Sequence, residues 1–267
     1  MAPVIALLSD FGLRDHYVGT MKGVMLGIAP DAVFVDLTHD IPPHDIHQGS
    51  LQLAAACGYF PPATIFLAVV DPGVGSARRA LAVEAGGHHF VAPDNGLLTA
   101  ALAGRPPARM VEISAPQYAR PTISRTFEGR DRFGPAAAWL ARGTPIDALG
   151  PAVAEYLRLE IPVASVNRSR LTGAVLFVDR FGNAVTNIDR ATFERFAPGR
   201  GTTIAVAGRT IAGPVATYAE IAAGSAAVLF GSSDHLEVAI NGASAAEQLG
   251  LGPGAAIVIE REASAAR

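Results

Sequence analysis

Three apolar runs near the N-terminus, Val4–Leu8, Val33–Leu37 and Thr64–Val70, show no strict alternation of apolar and polar residues. Such runs suit strands that are covered on both faces, which favours a sheet with helices on either side. Helical stretches separate them, about Tyr17–Ile28, ended by Pro30, and about His47–Tyr59, ended by Pro61-Pro62. Further strands are expected at Leu81–Glu84, Phe90–Ala92 and Met110–Ile113, and a helix at Pro135–Arg142 that carries Trp139. This alternation predicts an α/β N-terminal domain with a mostly parallel sheet over residues 1–162.

The pattern changes between Ile161 and Arg170, a plausible linker. Short strands follow at Ala174–Val178, Ala184–Ile188, Thr203–Val206, Thr210–Ile211, Ala226–Phe230, Leu236–Ile240 and Ala256–Ile259. Glycine-bearing turns such as Phe181-Gly182-Asn183 and Ala207-Gly208-Arg209 separate them. Many short strands at even spacing predict an all-β C-terminal domain over residues 170–262, a small barrel or a sandwich.

Composition narrows the function classes. The chain has 267 residues, 50% hydrophobic and 17% charged, with a net charge of -3. That is room for a large core, and the absence of a long basic run argues against nucleic acid as a partner. No run approaches the ~18–20 apolar residues of a membrane span. The N-terminal stretch lacks the basic start and long apolar core of a signal peptide. The single cysteine, Cys57, lies in an apolar stretch and reads as a small core residue, and a reducing, cytoplasmic compartment is expected.

Chemistry is expected at the carboxyl ends of the strands, where open α/β sheets bind ligands. Three polar loops fall there: Ser9-Asp10-Phe11-Gly12, Asp71-Pro72-Gly73-Val74-Gly75 and Pro93-Asp94-Asn95-Gly96. Each alone is explained as a turn; three together, each with a carboxylate, point to a crevice. Arg78-Arg79 follows the second loop, and an arginine paired with Asp71 favours the charged carboxylate. The segment Thr126–Asp131 is a second charged loop, equally readable as a solvated turn. The Asp71 loop also fits the loose D-x-G-x-G pattern of methyltransferases, but it follows the third strand rather than the first. His39, Asp40, His44, Asp45 and His47 carry metal-donor atoms, yet Pro42-Pro43 extends the chain between them, so a polar loop at the rim of a site is the better reading, with no metal. In the second half, Asp179–Asn183 tops a hairpin where Phe181 is unusual for a turn, and Ser232–His235 is another polar turn.

As a set, DFGLRDHYVGTMKGV (Asp10–Val24), THDIPPHDI (Thr38–Ile46), VVDPGVGSARRALAVE (Val69–Glu84), PDNGLL (Pro93–Leu98), TFEGRDRFGPAAAWL (Thr126–Leu140) and VDRFGNAVTNI (Val178–Ile188) resemble the SAM hydroxide adenosyltransferase family, which includes the fluorinase and chlorinase enzymes. The resemblance runs in order over nearly the whole chain. It implies an α/β N-terminal domain, a β-barrel C-terminal domain and a homotrimer, each site lying between one subunit's N-terminal domain and a neighbour's C-terminal domain. It implies S-adenosylmethionine (SAM) as the small-molecule substrate, with no cofactor. Asp10 would hold the ribose hydroxyls, with Phe11, Asp94 and Asn95 grouped among the substrate-binding residues. Phe181 and Asn183 would bind adenine with Tyr218 stacking nearby, Asp179 would take the methionine amine, Ser232 and Ser233 its carboxylate, and Asn241 would close the pocket. An Asp-Arg-His set positions water in the hydrolytic branch; Asp71 and Arg78 match its first two members, but Glu128 stands where the family has histidine (TFEGRD for TFHGRD).

The implied reaction is attack of water or hydroxide on the ribose 5′-carbon, releasing adenosine and L-methionine, with Asp71, Arg78 and Glu128 as the catalytic group. The sulfonium is a good leaving group, so the protein's task is to align the nucleophile about 3–3.5 Å from that carbon. A halide is the competing nucleophile. A carboxylate about 4 Å from chloride costs on the order of 4 kcal/mol at an effective dielectric of about 20, which favours water. A catalytically weakened SAM- or adenosine-binding protein is the remaining alternative, raised by Glu128.

Overall fold

The computed structural model describes residues 2–197 and 201–261. The chain divides into two compact units, Met1–Ile161 and Pro162–Arg267.

In the first unit, β1 (Val4–Ser9), α1 (Tyr17–Ile28), β2 (Val33–Thr38), α2 (Ile46–Cys57) and β3 (Ile65–Val69) alternate as the apolar runs require. Then come β4 (Ala80–Ala85), β5 (His88–Pro93), α3 (Thr99–Leu102), β6 (Arg109–Glu112) and α4 (Gly134–Ala141). The sheet order is β2-β1-β3-β5-β4-β6. Every residue of β3 is buried, as its uninterrupted apolar sequence demands. Alternate residues feed two cores. Ile5, Leu7 and Leu67 pack with Met21, Met25 and Ala137 of α1 and α4. Ala6, Leu8, Phe66 and Phe90 pack with Leu53 of α2 and Leu102 of α3.

The mostly parallel sheet expected from sequence is a mixed one. The β2–β1, β1–β3 and β3–β5 pairings are parallel, but β4 runs antiparallel to both β5 and β6. The reason is the Gly86-Gly87 turn, with φ of 57° and 80°, which closes β4 and β5 into a hairpin. A parallel crossover needs a dozen or more residues, which this connection lacks.

The second unit contains β7 (Ser165–Val166), β8 (Arg170–Val178), β9 (Ala184–Asp189), α5 (Arg190–Phe196), β10 (Thr202–Val206), β11 (Arg209–Val215), β12 (Ala226–Phe230), β13 (His235–Ile240), α6 (Ala245–Leu249) and β14 (Ala256–Arg261). Strands pair in the order β14-β10-β11-β12-β13-β9-β8, and β8 pairs with β14 to close a seven-stranded barrel, with β7 added to β8. Of the barrel or sandwich open from the strand pattern, the barrel is what forms. Leu171, Ile188, Val228, Leu236, Val238 and Ile257 fill it. Two short helices interrupt the expected run of strands. Asp189 caps α5 by accepting from Thr192 N (2.7 Å), and Ser244 caps α6 by accepting from Glu247 N (3.1 Å). Among the described residues no helix is long and apolar enough to cross a membrane.

Candidate active site

The carboxyl ends of β1 and β3 open onto a cavity of about 270 Å³ in the first unit, lined by Asp10, Phe11, Tyr17, His44, Asp71, Phe127 and Glu128 among others. The β1 loop is fixed to the loop after β2. Gly12 N donates to His39 O (2.7 Å), and His44 N donates to Asp10 Oδ2 (2.9 Å). Gly12 sits at a φ of 65°, the left-handed conformation that glycine adopts without strain. Behind the loop, His39 Nδ1 lies 2.7 Å from Ser9 Oγ and its Nε2 3.0 Å from Asp36 Oδ1, so this histidine is buried in a network of its own. Phe11, Tyr17 and Phe127 form an edge-to-face aromatic wall with centroids 5.1–6.1 Å apart.

On the wall of this cavity, one guanidinium joins two carboxylates. Arg78 donates through Nε to Asp71 Oδ1 (3.0 Å) and through Nη2 to Asp71 Oδ2 (2.5 Å). Its Nη1 and Nη2 each reach Glu128 Oε2 at 3.1 Å. The three side chains are at most 10% exposed. Burial works against the charge on Arg78, but the hydrogen bonds and charges of Asp71 and Glu128 outweigh it and raise the guanidinium's pKa above its ordinary value. Phe133 lies under the same guanidinium, 5.1 Å from ring centre to Cζ. Arg132 Nε stands 3.3 Å from Glu128 Oε2 without the alignment of a hydrogen bond. Among the described residues none donates to Glu128 Oε1, which leaves that oxygen free on a cavity-lining side chain.

Local sequence explains the placement of Glu128. It precedes a π-helical turn, Gly129–Phe133, that leads into α4. Gly129 packs on Phe11, where an added Cβ would stand 3.4 Å from the ring. Asp131, fully buried, accepts from Arg130 Nε (2.6 Å) and Ser124 N (2.8 Å), and pairs with Arg120 (3.2 Å). The segment that reads equally as a solvated turn is thus pinned by a buried charge. Gly75, at a φ of 77°, meets the Arg125 carbonyl so closely that no side chain fits there, which brings the Asp71 loop against the Glu128 segment.

Asp94 and Asn95 are not brought into this cavity. Asp94 is captured by Arg79 (2.6 Å from Nη2 to Oδ2) and by Leu157 N (2.8 Å). Asn95 Nδ2 donates to Val70 O (2.8 Å), bracing the backbone just before Asp71. The histidine-rich loop does not converge either: His39 is in its buried network, His44 lines the cavity, and Asp45 caps α2 by accepting from Gln48 N (2.8 Å). Among the described residues no group of three such side chains could hold a metal ion.

The second unit has its own pocket, of about 830 Å³, and it gathers Asp179, Phe181, Asn183, Tyr218, Ser232 and Asn241. Ser233 lies next to this lining and is exposed; its carbonyl accepts from His235 Nδ1 (2.9 Å). Asp179 organises its loop: Oδ1 accepts from Phe181 N (2.9 Å) and Asn183 N (2.8 Å), and Oδ2 from Asn183 Nδ2 (2.9 Å). Phe181 is consequently held out at 80% exposure, an arrangement that suits stacking rather than packing. Asn241 Nδ2 donates to Ile221 O (2.7 Å). Sequence reading missed Tyr17 and Phe127 as lining residues of the first cavity, and Glu237 in the second pocket, whereas the loop that carries His44 was expected at the rim of a site. The signal for Glu237 was a lone charge inside an apolar strand.

Family models for the SAM hydroxide adenosyltransferase N-terminal and C-terminal domains match residues 5–150 and 173–258. The chain is similar to the (R)-S-adenosyl-L-methionine hydrolase of Thermus thermophilus, 42% identical over 263 residues that cover 95% of this chain and 98% of that protein. The fluorinase of Nocardia brasiliensis is more distant, 29% identical over 293 residues, with 97% of each chain covered. A solved structure of an uncharacterized conserved protein from Thermotoga maritima matches with a TM-score of 0.90 and 34% identity, over 96% of this chain and 100% of that one.

Proposed function

The chain belongs to the SAM hydroxide adenosyltransferase family, and from that premise we propose that this enzyme hydrolyses SAM at the ribose 5′-carbon to adenosine and L-methionine. The observation that carries the reading is the Asp71–Arg78–Glu128 cluster on the wall of the first cavity.

In the reaction a C5′–O bond forms while the C5′–S bond breaks, its electron pair neutralising the sulfonium. The water must also lose a proton. Arg78 occupies both oxygens of Asp71 and one of Glu128, and so fixes the two carboxylates. Glu128 Oε1 is the acceptor left for the water's hydrogen, so Glu128 takes over the orienting part that histidine has in the family pattern. Asp10, with one oxygen held by His44 N, offers the other to the ribose hydroxyls. Phe11 lines that end. Asn95 braces the Asp71 loop through Val70 O, and Asp94 is taken up by Arg79 and Leu157 N, so neither is assigned a contact with substrate. Phe181, Asn183 and Tyr218 take the adenine, Asp179 the amine, Ser232 and Ser233 the carboxylate, and Asn241 closes the pocket. The assembly we assign is a cytoplasmic homotrimer in which each site joins one subunit's N-terminal domain to a neighbour's C-terminal domain.

The charge argument against a halide is weaker than two carboxylates alone suggest, because Arg78 and Arg132 balance them. What favours water is the unoccupied acceptor, Glu128 Oε1: water can donate to it, and a halide cannot. The test is incubation with SAM, with and without chloride, and identification of the products by mass. Adenosine and methionine in both samples support hydrolysis; chlorodeoxyadenosine supports halogenation; tight binding without turnover leaves only a SAM-binding protein.

A further inference from the structure

Glu237, in the middle of β13, is 6% exposed and lines the second unit's pocket. A buried carboxylate is costly without a compensating partner, and here the lining has no lysine, arginine or histidine. Tyr218 Oη donates to Oε2 at 2.8 Å, while none of the described residues donates to Oε1. The carboxylate passes directly over Gly231, where any Cβ would overlap it. Burial and the charge of Asp179 raise the pKa of Glu237 despite the Tyr218 hydrogen bond and the nearby His235, so its partners do not make good the cost of its burial. Asp179, the other acid of the pocket, already receives three hydrogen bonds from its own loop.

The pocket therefore lacks a donor at one defined point, Oε1 of Glu237, where the carboxylate lies beside Gly231 in the lining. That point is at the rim of the Tyr218 ring, because the tyrosine hydroxyl is what holds the carboxylate. Tyr218 is 45% exposed and available for stacking. A base lying on that ring presents its edge to Glu237. Resting on the functional reading above, we infer that Glu237 is the specificity residue for the base: it accepts from the exocyclic amine of adenine and rejects a base with a carbonyl at that position. A site built to receive a donor discriminates strongly against a ligand that lacks one, because its buried acceptor is left unpaired.

The test is calorimetric binding of adenosine, purine riboside and inosine to the wild-type chain and to Glu237→Gln. The wild type should prefer adenosine to inosine by about tenfold or more, with purine riboside between them. In Glu237→Gln, whose amide can turn its NH₂ to the pocket, that ratio should fall to near unity, with unchanged circular dichroism. Equal wild-type affinity for adenosine and inosine overturns the inference and leaves the hydrolase reading standing. So does an unchanged ratio in Glu237→Gln, and methionine titrated into both proteins then shows whether the carboxylate serves the amino acid instead. Failure of all three nucleosides to bind overturns both.

Discussion

Each unit carries a pair of acids, and the two pairs are handled in opposite ways. In the first, Asp71 and Glu128 share the guanidinium of Arg78, and Arg132 stands by. In the second, Asp179 and Glu237 line a pocket without a cationic side chain. Charge balance fixes the first pair rigidly within the protein, which suits groups that must aim a small neutral nucleophile. Charge deficit in the second leaves acceptor capacity for the ligand to complete. Buried acids thus serve two ends, and the presence or absence of arginine tells them apart.

The most damaging change to this comparison is at Asp71. Asp71→Asn removes the charge that holds Arg78 and should lower kcat about a thousandfold, while adenosine affinity stays within about twofold, as judged by steady-state kinetics and calorimetry. Similar turnover would take Asp71 out of the mechanism. Next is Asp131, the buried anchor of the Glu128 segment. Burial disfavours its charge, but Arg130, the Ser124 N–H and Arg120 outweigh that and lower its pKa. A lowered folded-state pKa means the stabilisation is present above the ordinary value of 3.8 and is lost as pH falls below it. Asp131→Asn should therefore destabilise by about 2 kcal/mol at neutral pH and flatten the acid limb of the stability curve, measured by urea unfolding across pH. An acid limb equal to that of wild type would show that other carboxylates set it.

Glu128 sharpens the contrast further. Glu128→Gln keeps the shape and an acceptor oxygen but loses the charge and basicity, and should reduce kcat about thirtyfold, whereas Glu128→His, which supplies a basic ring nitrogen, should preserve or raise it. Loss in both would give the carboxylate a part that imidazole cannot play. The smallest expected effect is at the second pocket. Gly231→Ala places a Cβ where the Glu237 carboxylate lies and should weaken adenosine binding about tenfold without altering kcat. A change in kcat would mean that the second pocket does more than bind.

Much of this was legible in the residues. The buried strands, the loops at their ends and the Asp71–Arg78 pairing follow from apolar runs that terminate in carboxylates and glycines. The mixed sheet did not, although the signal was present: five residues between Glu84 and Phe90 cannot cross over a sheet, and two of them are Gly86-Gly87. The helices α5 and α6 were hidden by their brevity, yet Asp189 and Ser244 are ordinary cap residues. Asp94 shows the limit of the strand-end rule, which locates a carboxylate but not the arginine that will claim it. Glu237 was overlooked because its neighbours Leu236 and Val238 make the segment read as core.

The central claim is that water, oriented by Asp71, Arg78 and Glu128, attacks the ribose carbon. Turnover of SAM in ¹⁸O-labelled water with chloride present tests it most directly. The account predicts heavy oxygen in the 5′-hydroxyl of adenosine, unlabelled methionine and no halogenated nucleoside. Unlabelled adenosine, or chlorodeoxyadenosine in its place, would contradict it.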